Sequence, residues 1–84
     1  MSRASWNDRY KISISEFISI KDIMLLRDCG RNAATKIRQD AIKYCLLNNI
    51  YIYGRNIPTE AVLMVTNRNI EYYYNKMLLE RQGA

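Results

Sequence analysis

A single glycine, Gly30, separates two segments whose apolar residues recur at helical spacing. Before it, Ile20, Ile23 and Met24 fall on one side of a helix, and after it a second helical pattern runs over residues 32–47. Because glycine enters the left-handed region without a steric penalty, we expect Gly30 to end the first helix and to let the second cross it. A chain of 84 residues has room for one modest core, so this predicted helix-turn-helix constrains the whole fold.

The segment after Gly30 has one small, apolar face and one basic face. Small side chains allow close approach of two helix backbones, which favours packing of the apolar face on the preceding helix. The apolar face consists of Ala33, Ala34, Ile37, Ala41, Tyr44 and Cys45. The opposite face consists of Arg31, Thr35, Lys36, Arg38, Gln39 and Lys43. We predict a helix from about Asn32, its expected cap, to Leu47, ended by Asn48 and Asn49 and carrying its cationic side in solvent.

Shorter signals predict a capped helix start and a hairpin. Ser19 and Asp22 have the spacing of a capping box, in which each side chain accepts from the backbone N–H of the other residue. Residues 50–53 alternate aliphatic and aromatic side chains, residues 54–55 suit a turn, and residues 56–57 suit a short returning strand. We therefore expect a small β-hairpin wing after the second helix.

The ends of the chain carry weaker patterns. Residues 1–10 show no period and predict a loose arm, whereas residues 11–15 alternate as a short strand does. Pro58 suits the first turn of a short buried helix. A polar break at residues 66–69, in which either asparagine suits a cap, precedes a last helix from Ile70 to about Arg81. Together the patterns predict a mainly α, single-domain fold over residues 1–84, with a compact winged helix-turn-helix core at 17–65 and a C-terminal helix at 69–82.

Composition excludes several classes of function. The chain has no histidine, two cysteines and three glycines, so it lacks the usual parts of a zinc site, a histidine-dependent catalyst or a phosphate-binding loop. We predict a non-enzyme without metal, cofactor or small-molecule substrate, in which Cys29 and Cys45 are free thiols. No apolar run is long enough to cross a bilayer, and the first ten residues lack the apolar segment of a signal peptide, so we expect a cytoplasmic protein.

The positive charge is concentrated in the middle of the chain. Thirteen Lys and Arg against eight Asp and Glu give a net charge of +5. Between Arg31 and Arg55 the only acid is Asp40. A basic helix face of this kind is typical of nucleic-acid binding, although a solvated helix surface carries charge as well.

The order of elements and several residues resemble a known group of proteins. The stretch from Phe17 to Val65 is similar to the small excisionase-like and MerR-type winged helix-turn-helix DNA-binding proteins of phages and integrative mobile elements. The matching features are the segment Phe17–Ile23, Gly30 in the turn, Ala34 and Ile37 in the second helix, and the segment Ile57–Val62. The resemblance implies double-stranded DNA binding, with the second helix in the major groove and the hairpin against the backbone or the minor groove.

In such a geometry the residues of the basic face have two roles, contact with base edges and contact with the DNA backbone, according to their side-chain chemistry. Side chains near the start of the second helix meet base edges, where Asn or Gln suits adenine and Lys suits guanine. The candidates for base contact are Asn32, Thr35, Lys36 and Gln39. The candidates for backbone contact are Arg31, Arg38, Lys43, Tyr51, Tyr53 and Arg55, with packing as the alternative role of both tyrosines.

The last helix has an apolar face with three candidate roles. It can cover the core of its own chain, pair with another copy, or receive a different protein. The candidates for a partner or dimer contact are Tyr72, Tyr73, Tyr74, Met77 and Leu78.

The leading hypothesis is sequence-specific binding of double-stranded DNA, as a recombination directionality factor or a transcriptional regulator of a mobile element or phage. Self-association and a cooperative array on DNA stay open. One alternative is a phage-encoded protein-interaction module that docks through the tyrosine-rich last helix. The other is sequence-tolerant binding of single strands by stacking on Tyr51 and Tyr53.

Overall fold

The computed structural model describes residues 5–52 and 54–83, and it is mainly helical. The described residues form a short two-stranded antiparallel sheet and five helices, the last of which is C-terminal, and this confirms the predicted fold class. In chain order the elements are α1 (Trp6–Ser13), β1 (Phe17–Ile18), α2 (Ile20–Arg27), α3 (Arg31–Leu47), β2 (Ile57–Pro58), α4 (Thr59–Val65) and α5 (Ile70–Gly83).

The N-terminal segment is a helix, so the predicted loose arm and the predicted strand at residues 11–15 are both wrong. Helix α1 is capped by Ser5, whose hydroxyl accepts from the backbone N–H of Asp8 at 3.1 Å. It packs against α5, and the carboxylate of Glu80 accepts from the backbone N–H of Trp6 at 2.9 Å. Residues 1–4 of the predicted arm lie outside the described residues. The short alternation of residues 11–15 is overridden by this long-range packing.

Helix α2 begins as the sequence predicts. The backbone N–H of Asp22 donates to the Ser19 hydroxyl at 3.2 Å, and that of Ser19 donates to the Asp22 carboxylate at 3.4 Å. The end of the helix differs from the prediction, because Asp28 adopts the left-handed conformation, with φ of 50°. Gly30 is extended, with φ of −77° and ψ of 175°, and it is the N-cap residue of α3. The chain thus turns at residues 28–30, but Asp28 takes the role expected of glycine.

Helix α3 is the longest helix and packs against both α2 and α4. Its small residues Ala34, Ala41 and Cys45 are fully buried, as the spacing predicts, whereas Ala33 is exposed. Asn32 is not the cap, because the helix already begins at Arg31. The predicted end is confirmed: Asn48 is the C-cap residue and Asn49 follows it with a φ of 57°.

The two strands of the sheet are far apart in the sequence. Phe17 pairs with Pro58 and Ile18 pairs with Ile57. The predicted hairpin within residues 50–57 is therefore wrong, although Ile57 is in a strand and Gly54 makes a turn with φ of 63°. Residues 50–52 are not a strand. The backbone N–H of Ile50 donates to the backbone carbonyl of Cys45 at 2.8 Å and closes the end of α3.

The last two helices complete the core. Pro58 is the N-cap residue of α4, which buries Ala61, Val62 and Leu63. Helix α5 is preceded by the predicted asparagine cap: the side-chain oxygen of Asn69 accepts from the backbone N–H of Tyr72 at 2.8 Å. The core lies among α2, α3, α4 and the sheet, and α1 and α5 close one side of it.

Candidate nucleic-acid interface

The turn at residues 28–30 sets α3 against α2 and leaves one side of α3 in solvent. Burial of Ala34, Ala41 and Cys45 orients the helix, because residues three, four and seven apart share a face. The cationic side consequently points away from the core, as the sequence predicts.

A continuous stripe of polar side chains follows the exposed side of α3. We call it the α3 stripe; its members, all exposed, are Asn32, Lys36, Gln39 and Lys43. Successive members are three or four residues apart, so they lie in one line along the helix. From Asn32 to Gln39 this line extends about 10 Å, which suits a major groove of about 12 Å in width.

Thr35 differs from the other candidates for base contact. It is half-buried, and its hydroxyl donates to the backbone carbonyl of Arg31 at 2.9 Å. The hydroxyl proton is therefore engaged within the helix, so Thr35 offers a base edge an acceptor rather than a donor.

Beside the α3 stripe lies a basic groove assembled from three segments of the chain. Its described lining residues are Ser19, Ile20, Lys21, Arg31, Arg38, Arg55 and Asn56. Four of these are Lys or Arg and none is acidic. This concentration of positive charge attracts an anion such as a backbone phosphate.

One hydrogen bond orders the rim of the basic groove. A guanidinium nitrogen of Arg38, Nη2, donates to the backbone carbonyl of Arg55 at 3.0 Å. Arg38 is half-buried, whereas Arg55 is exposed. Arg38 thus holds the loop that carries Arg55, and it brings two predicted backbone contacts to one place.

Tyr51, one of the two tyrosines predicted to contact the DNA backbone, is not among the described lining residues of this groove. Tyr51 is exposed and lines a separate hollow with Ile14, Phe17 and Pro58, which shares no described residue with the basic groove. Tyr53 lies outside the described residues. Residues 50–52 follow the end of α3 and do not form a wing, so the basic groove lends no support to a backbone contact by Tyr51, which stays a prediction.

Lys21 and Asn56 are groove residues that the sequence analysis missed. Lys21 is exposed in the first turn of α2, next to the cap residue Ser19. The available signal was its place in the first turn of a helix whose start is marked by Ser19 and Asp22. Asn56 reaches the groove because β2 follows it and pairs with β1.

Most of the predicted partner face of α5 is used within the chain. Tyr73 is 1% exposed and Met77 is 4% exposed, because this side of α5 packs on α1. Tyr72 meets the ring of Trp6 edge-on, with 6.1 Å between centroids. Leu78 is half-buried, and Tyr74 is partly exposed although its ring lies beside that of Tyr10.

The predicted partner role is therefore wrong for Tyr73 and Met77. Burial in the chain's own core leaves neither side chain available to another protein. Of the three candidate roles for this face, covering the core of its own chain is the one that the packing shows.

Both cysteines are free thiols in the structure. Burial raises the pKa of the Cys29 thiol and of the Cys45 thiol above the ordinary value. Each thiol is consequently protonated at neutral pH, which makes it a poor nucleophile.

Among residues 5–52 and 54–83, no three His, Cys, Asp or Glu side chains are grouped so that they could hold a metal ion. Every helix in that part of the chain is too short or too polar to span a bilayer. No protein-family model matches this sequence, and comparisons with curated proteins and with solved structures find no significant match.

Proposed function

We propose that the protein binds double-stranded DNA with sequence preference and inserts the start of α3 into the major groove. The observation that carries the proposal is the adjacency of the exposed α3 stripe and the acid-free basic groove. The first supplies hydrogen-bonding groups for base edges, and the second supplies positive charge for the phosphates that flank them. In the groove, Arg31 and Arg38 of α3 are joined by Lys21 and Arg55, which come from other segments of the chain.

Within this proposal the side chains have distinct roles. Asn32 and Gln39 can each make two hydrogen bonds to adenine, and Lys36 can donate to guanine. Lys21, Arg31 and Arg55 bind phosphates, which contribute affinity and register without sequence information. Lys43, about 6 Å further along α3 than Gln39, contacts the backbone.

The biological role that we propose is a recombination directionality factor or a transcriptional regulator of a mobile element or phage. The support for it is the resemblance of residues 17–65 to excisionase-like and MerR-type proteins. The proposal places the protein in the cytoplasm and includes no catalytic step. A protein-interaction module acting through α5 is less well supported, since α1 covers most of that face.

Salt dependence tests the phosphate contacts. If the four cations of the basic groove each neutralise one phosphate, the logarithm of the duplex association constant falls against the logarithm of salt concentration with a slope of about −3.6. Fluorescence anisotropy with a labelled duplex, titrated at several salt concentrations, measures the slope. The matched control is the single strand of the same sequence. Stronger binding of the single strand, or no duplex binding at low salt, contradicts the proposal.

Separate substitutions test the division of roles, once selection from a random duplex pool has identified a preferred site. Gln39→Ala is expected to remove about 1 to 3 kcal/mol of discrimination between that site and a scrambled duplex. Arg38→Ala is expected to weaken binding to both duplexes alike, because Arg38 holds the Arg55 loop and faces phosphate. Competition titrations with both duplexes measure each effect. Equal loss of discrimination in the two variants would show that the roles are wrongly assigned.

A further inference from the structure

A second surface of the molecule is apolar and rimmed by acids. It consists of two adjoining hollows that share Glu60, Leu63 and Ile70. The first is formed by α4 and the start of α5, and the second by the segment after α1 together with the start of β1. We call the two together the acid-rimmed surface.

Several large apolar side chains are exposed on this surface. The exposed fractions are 52% for Ile14, 40% for Phe17, 57% for Met64 and 44% for Ile70. Isolated apolar side chains are common on protein surfaces, but a contiguous group of them marks an interaction site.

The rim carries the opposite charge to the rest of the protein. Glu16, Glu60 and Glu71 border the two hollows, although the chain as a whole has a net charge of +5. Arg68 is the one Lys or Arg among the described lining residues, and its guanidinium lies over the ring of Tyr72, 4.6 Å from the centroid. This charge disfavours nucleic acid and anionic lipid as the occupant, and it favours a segment that is both apolar and basic.

The end of α3 is such a segment. Leu46 is 69% exposed and Leu47 is 83% exposed, which makes them two of the most exposed large apolar residues described. Lys43 lies three residues before Leu46 and four residues before Leu47, so the three side chains share one side of the helix. We call Lys43, Leu46 and Leu47 the α3 tip.

The acid-rimmed surface and the basic groove lie at opposite ends of the short sheet. Residues 19–20 and Asn56 border the groove, whereas Phe17 and Pro58, two or three residues away along the chain, border the acid-rimmed surface. Occupation of the acid-rimmed surface therefore leaves the groove accessible.

We propose that the acid-rimmed surface of one copy of this chain binds the α3 tip of a second copy, head to tail. The leucines enter the apolar hollows and, in the absence of DNA, Lys43 faces the glutamates of the rim. Because the tip of one copy meets a different surface on its neighbour, the contact is heterologous and leads to a ring or an open chain of copies. The contact needs no DNA, so it can be tested independently of the proposed function.

Sedimentation equilibrium of the full chain without DNA tests the contact. The wild type is expected to form dimers and larger species with rising concentration. Leu46→Ser is expected to lower the association constant about tenfold or more, because the contact loses a buried leucine. The matched control is Leu79→Ser: Leu79 is 61% exposed on α5 and lines neither hollow, so its loss leaves association unchanged.

Mixing two variants tests the head-to-tail geometry. Met64→Lys places a positive charge in the acid-rimmed surface, where Lys43 of the second copy arrives. We expect this variant to abolish association through the surface, whereas Leu46→Ser weakens association through the tip. A mixture of these two variants restores a dimer and nothing larger, because one intact tip meets one intact surface. Circular dichroism melts check that each variant is folded. A wild type that stays monomeric at every concentration, an equal effect of Leu79→Ser, or a mixture that forms no dimer overturns the proposal.

Discussion

Reversing the charges of Lys21 and Arg31 together is expected to weaken duplex binding about 100-fold or more. Both side chains line the basic groove, and Lys21 stands in the first turn of α2. A hydrogen bond to a charged group contributes about 1.5 to 3 kcal/mol, so the loss of two phosphate contacts alone accounts for a change of this size. Lys21→Glu/Arg31→Glu also introduces repulsion from the phosphates. Anisotropy titration of a labelled duplex at low salt measures the change.

The control variant carries the same change in net charge at other positions. Lys11→Glu/Arg81→Glu alters two exposed cations, on α1 and α5, that do not line the groove. We expect this variant to lose much less affinity, because screening at the ionic strength of the assay weakens distant charges. Similar losses in the two double variants would mean that net charge alone, rather than the basic groove, controls binding.

Replacement of Ile23 by alanine is expected to lower the free energy of unfolding by about 2 to 5 kcal/mol. Ile23 has no exposed surface and belongs to the core cluster, so the variant loses apolar contacts and leaves a cavity. A small domain has a total stability of about 5 to 15 kcal/mol, so this loss is a large share of it. Urea denaturation followed by circular dichroism measures the change.

Leu25→Ala is the matched control for Ile23→Ala. Leu25 lies on the same helix, two residues away, and is 45% exposed. Its truncation is expected to cost less than about 1 kcal/mol, since surface substitutions have small effects. Equal destabilisation by the two variants would contradict the burial of Ile23 and with it the packing of α2 on α3.

The helix boundaries that depend on short-range hydrogen bonds were predictable from the sequence. The bonds between Ser19 and Asp22 join residues three positions apart, as does the bond from Tyr72 to Asn69. The left-handed Asn49 likewise ends α3 where the asparagine pair indicates. Each of these features is specified by a few neighbouring residues, because the interacting atoms belong to one turn of helix.

Features that depend on distant residues were not predictable. Helix α1 is held by Glu80, whose carboxylate accepts from the Trp6 N–H across a sequence separation of 74. The alternating residues 11–15 gave no sign of this partner. The sheet pairs Phe17 with Pro58 for the same kind of reason: pairing depends on where two folded segments meet, and local alternation predicted a nearer partner.

The candidate site likewise has one part that was predictable from the sequence and one part that was not. Helical spacing alone places Asn32, Lys36 and Gln39 in one line, so the α3 stripe could be predicted from the sequence. The basic groove could not, because Lys21 and Arg55 come from elements on either side of α3 and meet only when the sheet closes.

Contacts within a few residues thus fix the helical segments around the turn and the polar side of α3. Tertiary structure decided which residue adopts the left-handed turn, which strands pair, how α5 is covered, and which cations share a groove. These outcomes depend on burying apolar area between segments that are distant along the chain, and that free energy is larger than the local preferences it overrides.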